Sequence, residues 1–291
     1  MKTTISSVLT GVMLVVFSAT SAFPQAPVEK ALLWEISGKN IKQPSYLYGT
    51  LHILCGSELV VSEKLKDRFK STQQLYLELD MDDPTMMLAT IQGMALKDNV
   101  TLKSLFEPPD YKLVSDYFTK NVKVSLETFD KMKPFFVQTL LAVTMMNCPQ
   151  ASWEGELVKM AEGQKIETLG LETVQEQIAV MDKIPYKEQV AALVDLVKDE
   201  AKAKKELETL KKNYFDQDIA ALEKMMENSP ELGQYGEAFL KNRNELWVPI
   251  IEKAATAKPT FFAVGAGHLG GANGVIALLR KAGFKVVPVA Q

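Results

Sequence analysis

Two strand-like segments near opposite ends of the chain, Ser45-Tyr46-Leu47-Tyr48 and Pro259-Thr260-Phe261-Phe262-Ala263-Val264, each run directly into Gly-x-x-His. The motifs are Gly49-Thr50-Leu51-His52 and Gly265-Ala266-Gly267-His268, and they hold both histidines of the protein. With 16 glycines in 291 residues, a given histidine has a glycine three positions earlier roughly one time in twenty by chance, so the repetition is informative. Glycine lets a chain leave a strand sharply, without a Cβ to clash, so that the residues after it can aim an imidazole over the strand end. Open α/β sheets bind ligands in the crevice outside the carboxyl ends of their strands. Two histidines 216 positions apart would meet there only if both ends of the chain contribute to one sheet.

The rest of the chain fits that constraint. Ala31 to Ile36 and Ser45 to Tyr48 read as strands joined through the turn-rich Ser37-Gly38-Lys39-Asn40, most simply as a hairpin. Ser62 to Ser71 has helical spacing of Leu65 and Phe69. Gln74 to Asp80 alternates like a strand, with Leu75, Leu77 and Leu79 on one face and Tyr76, Glu78 and Asp80 on the other. From about 83 to 257 the pattern is helical, punctuated by Pro108-Pro109, Pro134, Pro149, Pro185 and Pro230. The Lys/Glu run from Lys198 to Lys212 reads as a solvated helix face. Pro259 to Val264, Val275 to Ala282 and Phe284 to Val289 then form a βαβ unit. The expectation is an α/β fold, a central sheet built from N- and C-terminal strands with a large helical insertion at about 83–257. With 47% hydrophobic and 24% charged residues, a sizeable core can be buried.

Residues 1–22 have a secretory signal layout: Lys2, an apolar run from Val8 to Phe17, and small residues from Ser18 to Ala22. The run is shorter than the roughly 20 apolar residues that a membrane-spanning helix needs. Export with cleavage after Ala22 is expected, to the periplasm or the medium, leaving 23–291 without a membrane anchor. Cleavage removes one lysine and no acid, moving the formal charge from -3 to -4, a balance without an electrostatic footprint for nucleic acid. Cys55 and Cys148 are the two cysteines. In an oxidising compartment a disulfide between them is the simple expectation. The alternative is a free Cys55, three residues after His52, as the nucleophile of a thiol enzyme.

Glu78 would project from the face opposite its leucines. With His52 and His268 it could hold a divalent metal and leave a position for water, or activate water without one as a general base. Gly265-x-Gly267-x-x-Gly270 also fits a dinucleotide fingerprint, but too little chain follows for the acidic residue expected about twenty positions on. Gly-x-Ser-x-Gly, His-Glu-x-x-His, Cys-x-x-Cys and P-loop signatures are absent.

Trp34-Glu35-Ile36, Ser45 through His52, Tyr76-Leu77-Glu78-Leu79-Asp80, Leu171-Glu172-Thr173-Val174-Gln175-Glu176-Gln177, Arg243-Asn244 and Val264 through Gly271 occur in the order of the successive motifs of the TraB/GumN family, which the chain resembles over nearly all of 23–291. That family is similar to the Tiki proteins, membrane-tethered metalloproteases that use paired Gly-x-x-His motifs and a glutamate, and more distantly to erythromycin esterases and ChaN haem-binding proteins. The resemblance implies a hydrolase-like site at His52, Glu78 and His268, with Glu172 and Arg243 as further candidates. Glu172 could instead merely favour a helix N-terminus. Arg243 could pair with Glu245 or Glu237 on a helix surface, or orient a substrate carboxylate or steady an oxyanion.

The resulting expectation is an exported metal-dependent hydrolase, acting on peptides, with Mn²⁺, Co²⁺ or Zn²⁺ on His52, Glu78 and His268. The alternative is a protein that holds haem or another small molecule in the same crevice without turnover. No sequence signal bears on oligomeric state.

Overall fold

The computed structural model describes residues 30–229 and 233–290. The expected signal segment 1–22 and Pro230 lie outside them. The strands are β1 (Leu33–Ser37), β2 (Ser45–Thr50), β3 (Leu54–Cys55), β4 (Gln74–Leu77), β5 (Gln150–Ala151), β6 (Glu167–Gly170), β7 (Thr260–Gly265) and β8 (Lys285–Pro288). Between them run helices α1 (Glu63–Lys70), α2 (Met86–Met94), α3 (Pro108–Tyr117), α4 (Pro134–Met145), α5 (Trp153–Gln164), α6 (Val174–Met181), α7 (Tyr186–Lys198), α8 (Glu200–Phe215), α9 (Ile219–Glu227), α10 (Asn242–Ala257) and α11 (Val275–Lys281).

Six strands form the main sheet in the order β6-β4-β7-β2-β1-β8. Its first four strands are mutually parallel, and β1 runs antiparallel to both β2 and β8. Every residue of β2 and β7 is buried, as expected of central parallel strands covered on both faces. The C-terminal β7-α11-β8 unit is a crossover that spans two intervening strands, because β8 pairs with β1 and not with β7. Five of the six strands come from the ends of the chain, as the sequence implied. The sixth, β6, comes from within the helical stretch: Glu167 to Gly170 is too short for its alternation to stand out among helices.

Local chemistry explains the neighbouring elements. Ser62 Oγ accepts from the Leu65 amide and caps α1, Glu63 stands in its first turn, Arg68 and Lys70 stand in its last, and Leu65 and Phe69 are buried. The Phe69 ring packs 5.0 Å from that of Phe261 on β7. The Lys/Glu run that begins at Lys198 lies almost entirely in α8, which is separated from α7 where the backbone turns out of helical conformation at Asp199 (φ −130°, ψ 64°). Residues between 102 and 197 form an apolar core of their own, with Leu102, Val114, Phe118, Leu126, Val137, Leu141 and Leu193 buried completely. Trp34, Leu47, Leu75, Trp247, Phe261 and Phe262 belong to the core around the sheet.

β3 and β5 make a small antiparallel ribbon, and Cys55 and Cys148 are joined by a disulfide there, with their Cα atoms 5.6 Å apart. No free cysteine remains among the described residues, which removes the thiol needed for a cysteine nucleophile. The bond closes a loop across a sequence separation of 93 residues and ties the segment after His52 to the start of α5. Replacing both cysteines with serine is expected to lower stability by about 2–4 kcal/mol. Urea unfolding of the oxidised protein and the variant measures this, and equal midpoints would refute it.

Candidate functional site

The four parallel strands β6, β4, β7 and β2 all point their carboxyl ends at one crevice. Glu172, Glu78, His268 and His52 each lie within three residues of one of those ends. Because Thr50 is in register with Gly265, both Gly-x-x-His motifs leave the sheet at the same level. Neither glycine has a positive φ, so backbone freedom is not their use here. What they supply is close approach. A Cβ on Gly49 would lie 2.6 Å from Leu269 Cδ1 and 3.2 Å from the backbone of Ala266, so Gly49 admits the second motif's turn. A Cβ on Gly265 would lie 3.1 Å from His52 Nε2 and 3.2 Å from Glu78 Oε1, so Gly265 admits the first motif's imidazole. Each glycine makes room for the other motif. A Gly265→Ala change is expected to displace the His52 ring and cut turnover about tenfold with little loss of stability; steady-state kinetics beside a melting curve separates the two effects.

The two histidines are in opposite situations. His268, in the 3₁₀ turn Ala266–His268, is 5% exposed and packs against the Trp247 ring at 4.5 Å between centroids. Asn244 donates to the carbonyl of Asn273 at 2.8 Å, which turns its own Oδ1 toward His268 Nδ1 at 2.6 Å. Arg243 Nη1 donates to His268 Nε2 at 3.1 Å, so the ring carries its proton on Nδ1. Burial, with the charges of Arg243 and His52 set against that of Glu78, pushes His268 down to about 3, and the ring is neutral.

His52 leaves 57% of its side chain exposed at the crevice mouth. Its Nδ1 lies 2.9 Å from Glu154 Oε1, which also accepts from Thr50 Oγ1 at 2.7 Å. Its Nε2 lies 3.8 Å from Glu78 Oε1. Desolvation opposes the charged ring, but the Glu154 hydrogen bond and the carboxylates of Glu78 and Glu154 prevail and raise it to about 9.

Glu78 is the first residue past β4, which ends at Leu77 instead of continuing to Asp80. Its Oε1 accepts the Gly265 amide at 2.7 Å, and its Oε2 accepts Arg243 Nη2 at 2.6 Å and Gln177 Nε2 at 3.2 Å. Burial would raise this carboxyl; the rings of His268 and His52, the guanidinium and the Gly265 amide outweigh it and hold it down at about 2.

Arg243 finds its partners neither in Glu245 nor in Glu237. It forks onto Glu172, with Nε donating to Oε2 at 3.0 Å and Nη2 to Oε1 at 2.6 Å, and it also donates to Glu78, His268 and the Phe239 carbonyl. All five guanidinium N–H groups therefore have protein acceptors, and none is left for a substrate in this arrangement. Glu172 precedes the capping residue Thr173 of α6, and its carboxylate serves Arg243 and Gln177 instead of the helix end.

A metal on His52, Glu78 and His268 would need the Nε2 lone pair of both rings. The lone pair of His268 is taken by Arg243, whose positive charge stands where the ion would have to approach. Among the described residues no group of three or more His, Cys, Asp or Glu side chains is placed to hold a metal ion. The trio as arranged does not fit a three-ligand centre.

The model of the TraB/PrgY/gumN family matches residues 32–288. The chain belongs to that family. Among its relatives, an uncharacterised protein of Treponema pallidum (strain Nichols) is 25% identical over 279 residues, covering 87% of this chain and 81% of that protein. Metalloprotease TIKI1 of Danio rerio is 23% identical over 328 residues, covering 90% of this chain but only 64% of that longer protein. No solved structure matches significantly. In this TraB/PrgY/gumN chain the site also includes residues to which sequence reasoning gave no role: Glu154, Gln177, Asn244 and Trp247. Gln177 and Asn244 stand in stretches that resembled the family. Glu154, in the first turn of α5, looks from sequence like any acidic residue favoured at a helix start.

Proposed function

We propose that this chain is an exported hydrolase that cleaves peptide bonds, with His52 carrying the proton. The observation behind the reading is the asymmetry of the network. Both ring nitrogens of His268 and all five N–H groups of Arg243 have protein partners, while His52 Nε2 stands open beside an ionised carboxylate, with Glu154 fixing the ring from behind.

In the neutral ring Nδ1–H donates to Glu154, and Nε2 is the acceptor that faces the crevice. Nε2 takes a proton from water as the water oxygen bonds to the scissile carbonyl carbon and the C=O pair moves onto oxygen. The oxyanion pair then re-forms the C=O bond as the C–N bond breaks, and the same proton passes from Nε2 to the leaving nitrogen, which departs as the amine and leaves the new carboxyl group. Glu78 and Glu154 stabilise the imidazolium between these steps. Support for peptide bonds comes from the name of the Danio rerio relative. Export rests on the layout of residues 1–22, and no helix among the described residues is long and apolar enough to cross a membrane.

The sign of the pH dependence follows from the raised value of His52. The neutral, basic form grows as pH rises toward about 9, so kcat/KM is expected to climb about tenfold per pH unit below that value and then level off. The test is cleavage of a mixed peptide library from pH 5 to 10, with and without chelator. Since no step uses a metal, cleavage should survive chelation. Activity lost on chelation and restored by Mn²⁺, Co²⁺ or Zn²⁺ would sink the metal-free mechanism. If no peptide is cleaved at any pH with any metal, the peptidase reading fails and binding of haem or another small molecule takes its place.

A further inference from the structure

Arg243 and Glu172 also line a cleft of about 810 Å³, whose wall does not include His52. It adjoins the candidate site through Glu172 and Arg243, and Arg243 in turn holds Oε2 of Glu78, whose Oε1 faces His52. Three features of the cleft are independent of one another.

The first is backbone. Leu169 and Gly170 of β6 line the cleft, and β6 is the edge of the main sheet, with β4 as its one strand neighbour among the described residues. An open strand edge is a template for an extended chain. The second is apolar surface. Met86, Leu246 and Ile250 line the wall, with Leu246 67% exposed. Just beyond, α2 buries none of its residues and presents Met87, Leu88 and Ile91 to solvent. The third is charge. The lining carries the acids Asp80, Asp83, Glu172 and Glu176 against the bases Lys183 and Arg243, and Arg243 is already matched by Glu172 and Glu78. One oxygen of Asp80, Oδ1, is buried without a hydrogen-bond partner.

We propose that this cleft binds an extended peptide segment in which a basic residue sits among apolar ones, laid along the free edge of β6 with its cation against Asp80 and Asp83. That this segment is substrate, held beside the bond to be cut, rests on the hydrolase reading above. The backbone edge selects a peptide over other amphiphiles, the wall takes its apolar side chains, and the unmatched acids select a base over an acid.

Fluorescence anisotropy with three labelled octapeptides tests the proposal on the native full chain: Leu- and Ala-rich with one central Lys, the same with Glu for Lys, and the Lys peptide N-methylated at alternate backbone positions. The Lys peptide should bind at least about tenfold more tightly than either of the others. Asp80→Asn/Asp83→Asn should erase the preference for Lys over Glu. Asp83→Asn keeps the acceptor that Thr85 uses, so the turn before α2 is retained. Equal binding of the Lys and Glu peptides, or undiminished binding of the N-methylated one, overturns the proposal. Turnover is read separately. His52-dependent cleavage without any preference for Lys leaves the hydrolase reading standing and removes this one; the stated preference with no cleavage does the reverse.

Discussion

His52→Ala is expected to lower kcat/KM for a cleaved peptide by about 10³-fold, within the range that a positioned general acid–base group contributes. The fold should survive, because the ring is 57% exposed and contributes little buried apolar surface. The loss should also flatten the pH profile, since the rise toward pH 9 belongs to this ring. A His52→Gln protein places an amide near Glu154 without a titrating nitrogen and should be as inactive as the alanine variant. Steady-state kinetics beside thermal melts of the three proteins reads both quantities; a fall of less than threefold would remove His52 from the mechanism.

Arg243→Met should destabilise the protein by about 3–5 kcal/mol, the usual cost of leaving buried charge without its partner. Glu78 and Glu172 have side chains only 8% and 7% exposed, and the guanidinium bridges them. Without it, two largely buried carboxylates are left with no guanidinium between them. The linkage has a definite sign. In the native protein Glu78 is held down at about 2, so its contribution to stability is present above the ordinary carboxylate value and is lost as pH falls through about 2. In the variant the burial that raises Glu78 is no longer offset by the guanidinium, so its carboxyl rises, and the deficit should be largest at high pH and shrink under mild acid as it takes up a proton. Glu78→Gln together with Glu172→Gln in the Arg243→Met background should recover most of the loss. Urea unfolding at pH 5 and pH 8 measures both effects. A deficit independent of pH would show that Arg243 contributes packing against Trp247, at 4.7 Å, instead of charge.

Much of the site was legible as residues and little of it as roles. Paired Gly-x-x-His motifs after strands, together with resemblance to the TraB/GumN motifs, singled out His52, His268, Glu78, Glu172 and Arg243, and the fold brings all five to one crevice. The motifs look alike in sequence, yet one histidine is buried and neutral and the other is solvent-facing and cationic. That difference arises because Asn244 and Arg243 come from α10 to one ring and Glu154 from α5 to the other. Neither pairing leaves a local pattern, because each joins residues far apart in the chain.

The sequence by itself determined the α/β class, the hairpin and crossover at the two ends, the helix between Ser62 and Ser71 and the pairing of the two glycine–histidine motifs. These follow from periodicity and turns, which act over a few residues. Only the tertiary structure decided that β6 completes the sheet, that Arg243 is spent on Glu78 and Glu172, and that the glycines serve close approach. Protonation states belong to the same class, since burial and neighbouring charge set them and both exist only once distant segments have packed.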